Sequence, residues 1–328
     1  MNGLLRIEKF INQKNIMSKV SVLIIGAGNI SLQHLNSLIT LKDIKLYGIL
    51  SRTKIKSVKI SKQFKIPHVL NSYEEIDYHI TNIDLMMICV DSDQTIKVFN
   101  KIKKYKKFIF FEKPIGINLK ESKIIFKEVQ KYNLKTFVGF NRRYYSILNK
   151  GLSKLRRNGK KIVTVNIEGN ERIWQVKKNP KHFKNIQYWP FINSIHTTDL
   201  IRYISGDIKF ETFKSIKSKY SFFASMFSKK NILVNYVSNY DYYDGWSVKI
   251  YNDNGEFIIL KPLESCSLIN HNSILAIKPH RDDIAFKPGF KIMHRAMISA
   301  YKSDEKVPIN YNVEDALKSV YLTERIFY

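Results

Sequence analysis

Lys113 stands at the end of the apolar run Phe108-Ile109-Phe110-Phe111, with Glu112 before it and Pro114 after it. A lysine at the tip of a buried strand is a cation fixed by the backbone, suited to bind and polarise a substrate oxygen. Upstream, Gly26-Ala27-Gly28-Asn29-Ile30-Ser31 follows another apolar run. A glycine turn between a strand and a helix lets backbone N–H groups approach a pyrophosphate, so Gly26, Gly28, Asn29 and Ile30 read as dinucleotide-binding residues. Ser31 takes the place of the third glycine of the strict pattern and is small enough to keep helix and strand close. A dinucleotide cradle and a cation at a later strand tip of the same sheet point to hydride transfer.

Such residues need a parallel sheet to hold them. Residues 20–25 are continuously apolar, as in a strand buried on both faces. Leu32, Leu35, Leu38 and Ile39 then recur at helical spacing. Further apolar runs at 44–50, 83–90, 108–111 and 136–139 alternate with helical segments at 55–64, 73–79, 95–105 and 119–132. This predicts a doubly wound Rossmann domain over 18–138. From 139 onward the order changes to a helix at 145–158, a strand at 162–169, a helix at 193–205 and strands at 232–238, 246–251 and 256–260. Asn252-Asp253-Asn254-Gly255 is a hairpin turn between the last two. The expectation is an α/β chain whose C-terminal α+β domain, 139–328, carries a largely antiparallel, open-faced sheet and closes on a helix at 313–327. Residues 1–17 read as an N-terminal extension.

Composition narrows the function classes. At 44% hydrophobic and 25% charged residues, the 328-residue chain has the make-up of a globular protein with room for two cores. There is no apolar run of membrane-spanning length, and no signal-like segment opens the chain, so the expected location is cytoplasmic. Two cysteines, Cys89 and Cys266, make neither a disulfide framework nor a metal cluster, and Cys89 reads as a small buried hydrophobe. The net charge of +27 invites a nucleic-acid partner, but the lysines are scattered and no nucleic-acid motif accompanies them. The charge instead favours anionic small molecules. Dinucleotide preference is read at the end of the second strand, where an acidic residue about 20 residues beyond the glycines contacts the ribose in NAD sites. Here Ser51 and Arg52 stand nearby. They suit the 2′-phosphate of NADP, while Arg52 stacked on adenine or solvated in a loop are the alternatives.

Glu112-Lys113-Pro114, the glycine turn, Gly139-Phe140-Asn141-Arg142-Arg143-Tyr144 and His196-Thr197-Thr198-Asp199 together resemble the Gfo/Idh/MocA family of glucose–fructose oxidoreductase and inositol dehydrogenase. The resemblance runs in motif order over nearly the whole chain from Met17. It implies an NAD(P)-dependent dehydrogenase or reductase acting on a CH–OH group of a sugar ring, with a nucleotide sugar for surface-glycan (polysaccharide) biosynthesis as the preferred niche. It makes Lys113 the residue that hydrogen-bonds the reacting hydroxyl, and the Lys–Pro bond there is often cis. His196 falls on the catalytic histidine, and an imidazole titrating near neutral pH suits general acid/base work. Glu112 is expected to orient Lys113 or the nicotinamide ribose. Asn141, Arg142, Asn193 and Asp199 are expected at the substrate, with a solvated basic loop as the alternative for the first two.

One position departs from the family pattern. An aspartate is expected four residues before the histidine, and here that residue is Ile192. Its neighbour Asn193 can position a hydroxyl but cannot take its proton. The alternative to an enzyme is therefore a dinucleotide-binding redox sensor without turnover. Trp174, Tyr188 and Trp189 either offer a sugar ring a stacking face or pack in the core. An uncovered sheet face, with the resemblance, implies a homodimer or homotetramer.

Overall fold

Six parallel strands form the first sheet: β1 (Val20–Ile25), β2 (Ile44–Leu50), β3 (His68–Leu70), β4 (Leu85–Ile88), β5 (Phe108–Phe111) and β6 (Thr136–Val138). Helices α1 (Asn29–Leu38), α2 (Lys54–Phe64), α3 (Ile76–His79), α4 (Thr95–Ile102) and α5 (Leu119–Lys131) connect them. The computed structural model describes residues 19–303 and 311–328. Strand order is β3-β2-β1-β4-β5-β6, so the chain reverses direction between β1 and β4, the place where parallel α/β sheets bind ligands at the carboxyl ends of their strands. Every residue of β1, β4 and β5 is buried, which is why these strands read as apolar runs, broken only by Ser21 in β1.

A second sheet follows. Its elements are α6 (Ser146–Leu155), β7 (Ile162–Gly169), α7 (Ile173–Lys177), α8 (Pro180–Phe183), α9 (Ile195–Ser205), β8 (Ile208–Lys217), β9 (Ser221–Ser228) and β10 (Leu233–Asn239). They continue with β11 (Trp246–Asn252), β12 (Phe257–Leu260), β13 (Cys266–Ile269), β14 (Ile274–Ile277), α10 (Arg281–Ala285), α11 (Phe290–Lys302) and α12 (Val313–Phe327). The eight strands lie in the order β14-β13-β12-β11-β7-β10-β9-β8, antiparallel except where β10 runs beside β7. One face, with Val165, Ile167, Val234, Tyr236 and Val248, packs with Leu148 and Leu152 of α6 and Leu200 and Ile204 of α9. Val163, Phe223 and Phe227 are exposed on the other.

Two features differ from the sequence expectation. The chain divides into two units, one ending at Phe140 and resumed by Ala285–Lys318, the other built from Asn141–Ile284 and Ser319–Tyr328. The boundary near 139 thus separates the sheets, but α11 groups with the Rossmann sheet rather than with 139–328. Its His294 and Phe290 pack against His34 of α1, with Phe290 and His34 ring centroids 4.7 Å apart. The expected extension, 1–17, lies outside the described residues. The second difference is that β8, β9, β13 and β14 were not anticipated. In β9, Phe222 is buried while Phe223 and Phe227 are exposed, so large apolar residues on both faces hide the period of two.

Candidate functional site

At the tip of β1, Gly26 adopts φ +125°, and a Cβ there would lie 2.1 Å from the Cys89 carbonyl oxygen at the end of β4. Only glycine fits a turn this close to a neighbouring strand. Gly28 caps α1 in ordinary extended geometry, and a Cβ built on it meets nothing within 4 Å. No side chain caps α1 and no acidic residue sits in its first turn. The N–H groups of Asn29 and Ile30 therefore face open space at a helix N-terminus, which is the donor set a pyrophosphate requires. Ser31 donates to the Cys89 carbonyl at 3.2 Å, so the residue replacing the third glycine ties α1 to β4. Cys89 is buried, and burial pushes its thiol well up, fitting a packing role rather than a nucleophile.

At the tip of β2, Arg52 is exposed. The Ser51 hydroxyl points back into the turn, donating to the Thr53 carbonyl at 3.1 Å and lying 2.6 Å from Ser57 Oγ. These contacts tie Ser51, expected at the cofactor, to the start of α2.

Beyond β5 the Lys113–Pro114 peptide is cis and Lys113 is half-buried. Glu112, expected to orient Lys113 or the cofactor ribose, bonds the Lys113 backbone. Glu112 is buried; Oε2 accepts the Lys113 backbone N–H at 3.0 Å and Oε1 lies 2.9 Å from His34 Nε2. His34 Nδ1 is 2.8 Å from His294 Nε2, and His294 Nδ1 is 2.9 Å from Ser37 Oγ. Ser37, His294, His34 and Glu112 thus form one continuous hydrogen-bonded chain. Burial works to raise the Glu112 carboxyl, but the His34 hydrogen bond and the charges of His34, Lys113 and Lys287 hold it below its ordinary range. Burial, with the His34 charge, lowers His294 well below 6.5. The chain locks the Lys113 backbone to α1 and α11. Sequence reasoning missed it because its partners stand as many as 260 positions apart.

In the other unit, Pro190–Ser194 forms a π-turn leading into α9, which places His196 in the first turn of α9. His196 is buried, its ring 6.1 Å from that of Trp246, and the Arg142 guanidinium lies 4.6 Å from the Trp246 centroid. Asn141 and Arg143 are buried in the short turn Asn141–Tyr144. Asp199 was expected at the substrate, and here too the structure differs. Both its oxygens accept from Arg143, Nε at 2.7 Å, and Oδ1 also accepts from Ser319 Oγ at 2.7 Å. Arg202 Nη1 in turn donates to Ser319 at 2.7 Å. Asp199, 1% exposed, therefore holds α9 to the Asn141–Tyr144 turn and to α12.

A cavity of about 370 Å³ opens in this unit, lined among others by Asn170, Glu171, Trp189, Asn193 and Trp246. Glu171, just past β7, was missed by sequence reasoning; the only signal was the polar run Asn170-Glu171-Arg172 at a strand end. Its Oε2 accepts from Trp189 Nε1 at 2.9 Å and Asn193 Nδ2 at 2.8 Å, and its Oε1 accepts from Ser194 Oγ at 2.7 Å. Burial raises its carboxyl above the ordinary range, against the pull of Trp189, Ser194, Asn193 and the Arg142 charge. Of the three aromatic residues singled out in sequence, Trp189 lines the cavity together with Trp246, which was not singled out. The Trp174 backbone N–H donates to Asp241 Oδ1 at 2.6 Å, on the neighbouring turn.

Residues 20–140 match the model of an oxidoreductase family with an NAD-binding Rossmann fold, GFO_IDH_MocA. Over these residues, its dinucleotide-binding domain, the chain is similar to the Gfo/Idh/MocA family. Curated relatives include an uncharacterized oxidoreductase, YrbE, of Bacillus subtilis, 28% identical over 56% of this chain and 53% of the relative. Another is the myo-inositol 2-dehydrogenase of Thermotoga maritima, 26% identical over 58% and 56% of the two chains. The chain thus spans about half the length of the curated relatives it matches. Among solved structures, the UDP-N-acetylglucosamine 3-dehydrogenase GnnA of Acidithiobacillus ferrooxidans superposes with a TM-score of 0.74 at 12% identity, covering 94% of this chain and 97% of that one. At that identity the likeness establishes the two-sheet fold.

Proposed function

We propose that this protein is a member of the Gfo/Idh/MocA family, an NAD(P)-dependent oxidoreductase that moves a hydride to or from a ring carbon of a sugar or polyol. The observation that carries the reading lies within one sheet. All six strands are parallel, so the donor-rich turn after β1 and Lys113 after β5 stand on the same edge. The bound nicotinamide supplies the hydride acceptor or donor. Gly26, Gly28, Asn29 and Ile30 hold the dinucleotide through backbone groups. In the oxidative direction the Lys113 ammonium steadies charge developing on the substrate oxygen, and the His196 imidazole takes the hydroxyl proton. Asn141 and Arg142 complete the substrate contacts. A nucleotide sugar of surface-glycan synthesis is the preferred substrate class, supported by the basic surface and by the fold shared with a nucleotide-sugar dehydrogenase. The exposed apolar face of the second sheet supports a homodimer or homotetramer.

The test is single-turnover absorbance of reduced nicotinamide over a panel of polyols, sugars and nucleotide sugars. Lys113→Met and His196→Asn are each expected to slow turnover by about 10²–10⁴-fold, with cofactor affinity held within a few-fold. Two variants as fast as wild type would show the proton path to be misplaced. Ile192 supports a second reading, a cofactor sensor; wild-type protein that binds dinucleotide yet turns over nothing would favour it. The exposed Arg52 supports NADP, so Arg52→Asp should shift preference toward NAD in a calorimetric titration, and an unshifted ratio would remove Arg52 from the phosphate site.

A further inference from the structure

We propose that Glu171 is the substrate-anchoring carboxylate of the cavity, accepting a ring hydroxyl of a neutral polyol or sugar at Oε1 in place of an acid at position 192. The inference rests on the sugar or polyol reading above and adds a residue to which neither the family motifs nor the sequence spacing assigns a role.

Three observations combine. The first is the chemistry of the wall. A cavity of about 370 Å³ lined by Asn170, Gln175, Asn179 and Asn193, with the indoles of Trp189 and Trp246, offers amide hydrogen bonds around flat apolar faces. That is the complement of a ring bearing hydroxyls on its rim and C–H groups on its faces. Its volume suits one such ring and is far too small for a macromolecular segment.

The second is a count of acceptor positions. An ionised carboxylate has about four lone-pair positions on its two oxygens. Trp189 and Asn193 fill both on Oε2, while Ser194 fills one on Oε1. Among the described residues, Oε1 keeps one acceptor position on a residue that lines the cavity and is 3% exposed. A carboxylate serving only to cap the turn before α9 would need no such vacancy and no cavity beside it.

The third is rigidity. The Glu171 N–H donates to the Asn239 carbonyl at 2.9 Å, and its own carbonyl accepts the Asp241 N–H at 2.7 Å. Backbone and side chain are thus fixed before any ligand arrives, so a hydroxyl that meets Oε1 pays little for ordering its partner. Ile192, the residue where an acid was expected, stands within the π-turn whose Asn193 and Ser194 both donate to Glu171. The acid has moved from the helix to the strand end that the helix faces.

Intrinsic fluorescence of the full-length protein tests this directly, because the chain's three tryptophans, Trp174, Trp189 and Trp246, all belong to this unit and two of them line the cavity. Wild type and Glu171→Gln are titrated with myo-inositol and with D-glucose, with and without saturating NAD, and each protein's melting temperature is recorded. Loss of a hydrogen bond to a charged group should weaken binding by about 10–100-fold in Glu171→Gln. Ser194→Ala, which removes a donor and leaves the acceptor, should stay within about 3-fold of wild type. Should Glu171→Gln fail to fold, wild type alone decides through monodeoxy-inositols. One of them should bind about 10-fold more weakly than the parent, and the others should not. Equal affinity in wild type and Glu171→Gln, or indifference of wild type to every deoxy analogue, overturns the proposal while leaving hydride transfer intact. A wild type whose fluorescence responds to polyol through Glu171 but that reduces no cofactor upholds the anchor and refutes the oxidoreductase reading instead.

Discussion

In the Rossmann unit the groups proposed to hold the pyrophosphate are backbone N–H groups packed into residues 26–31, with the Lys113 and Arg52 side chains added from other strand ends. In the C-terminal unit the cavity is made of side chains drawn from separate places: Glu171 follows β7, Trp189 and Asn193 precede α9, and Trp246 begins β11. A site made of backbone needs glycine and a helix start in one stretch of chain, so it leaves a motif. A site made of side chains needs only that strand ends converge, and its residues can be replaced from another element, as Glu171 stands where Ile192 does not. The first kind announces its ligand class; the second sets specificity without leaving a pattern.

The comparison is sharpest at the two glycines. Gly26→Ala puts a Cβ 2.1 Å from the Cys89 carbonyl at φ +125°, so roughly 3–6 kcal/mol of stability should be lost, read by urea denaturation. A Cβ on Gly28 meets nothing within 4 Å, so the denaturation midpoint of Gly28→Val should hold while calorimetric binding of NAD and NADP disappears. Should Gly28→Val bind dinucleotide normally, the backbone account of this unit fails.

In the C-terminal unit the same logic applies to Asp199. Its pairing with Arg143 is buried on both sides, so Asp199→Ala takes the carboxylate away from a buried guanidinium and should cost about 3–5 kcal/mol in urea. A residue that touched substrate without bracing the fold would instead raise KM at unchanged stability.

A smaller effect follows pH. His294 in the folded state titrates well below its ordinary 6.5, so below that pH the unfolded chain takes up a proton that the folded one refuses. Stability should fall as pH drops below about 6.5, by at most about 1.4 kcal/mol per pH unit from this residue. Glu112, held below 4.5, contributes its own loss only at still lower pH. Melting temperatures between pH 7 and 5 should slope less in His294→Gln than in wild type; parallel slopes would mean that the buried chain does not carry the acid sensitivity.

The difference between the units also explains what could be read from the sequence. The Rossmann strands were legible because burial on both faces leaves apolar runs, and the glycine turn because only glycine survives beside Cys89. The antiparallel sheet was legible only in part, since exposed Phe223 and Phe227 disguise β9. Glu112 and Asp199 stood out by their motifs, but the bonds that hold them did not. Their partners, His34 and His294 for one, Arg143 and Ser319 for the other, come from elements that no local pattern connects. Trp246 and Glu171 lie at strand ends, where a residue's type says little until the sheet order is known.

The central claim is hydride transfer from a ring carbon, and its most direct measurement follows the hydrogen itself. Wild-type protein is incubated with oxidised NAD or NADP and polyols, sugars and nucleotide sugars deuterated at ring carbon. Mass spectrometry of the recovered cofactor then locates the label. The account predicts deuterium on the reduced nicotinamide for at least one ring substrate, with none in Lys113→Met over the same time. Cofactor that binds tightly and returns unlabelled and oxidised from every member of the series would contradict it.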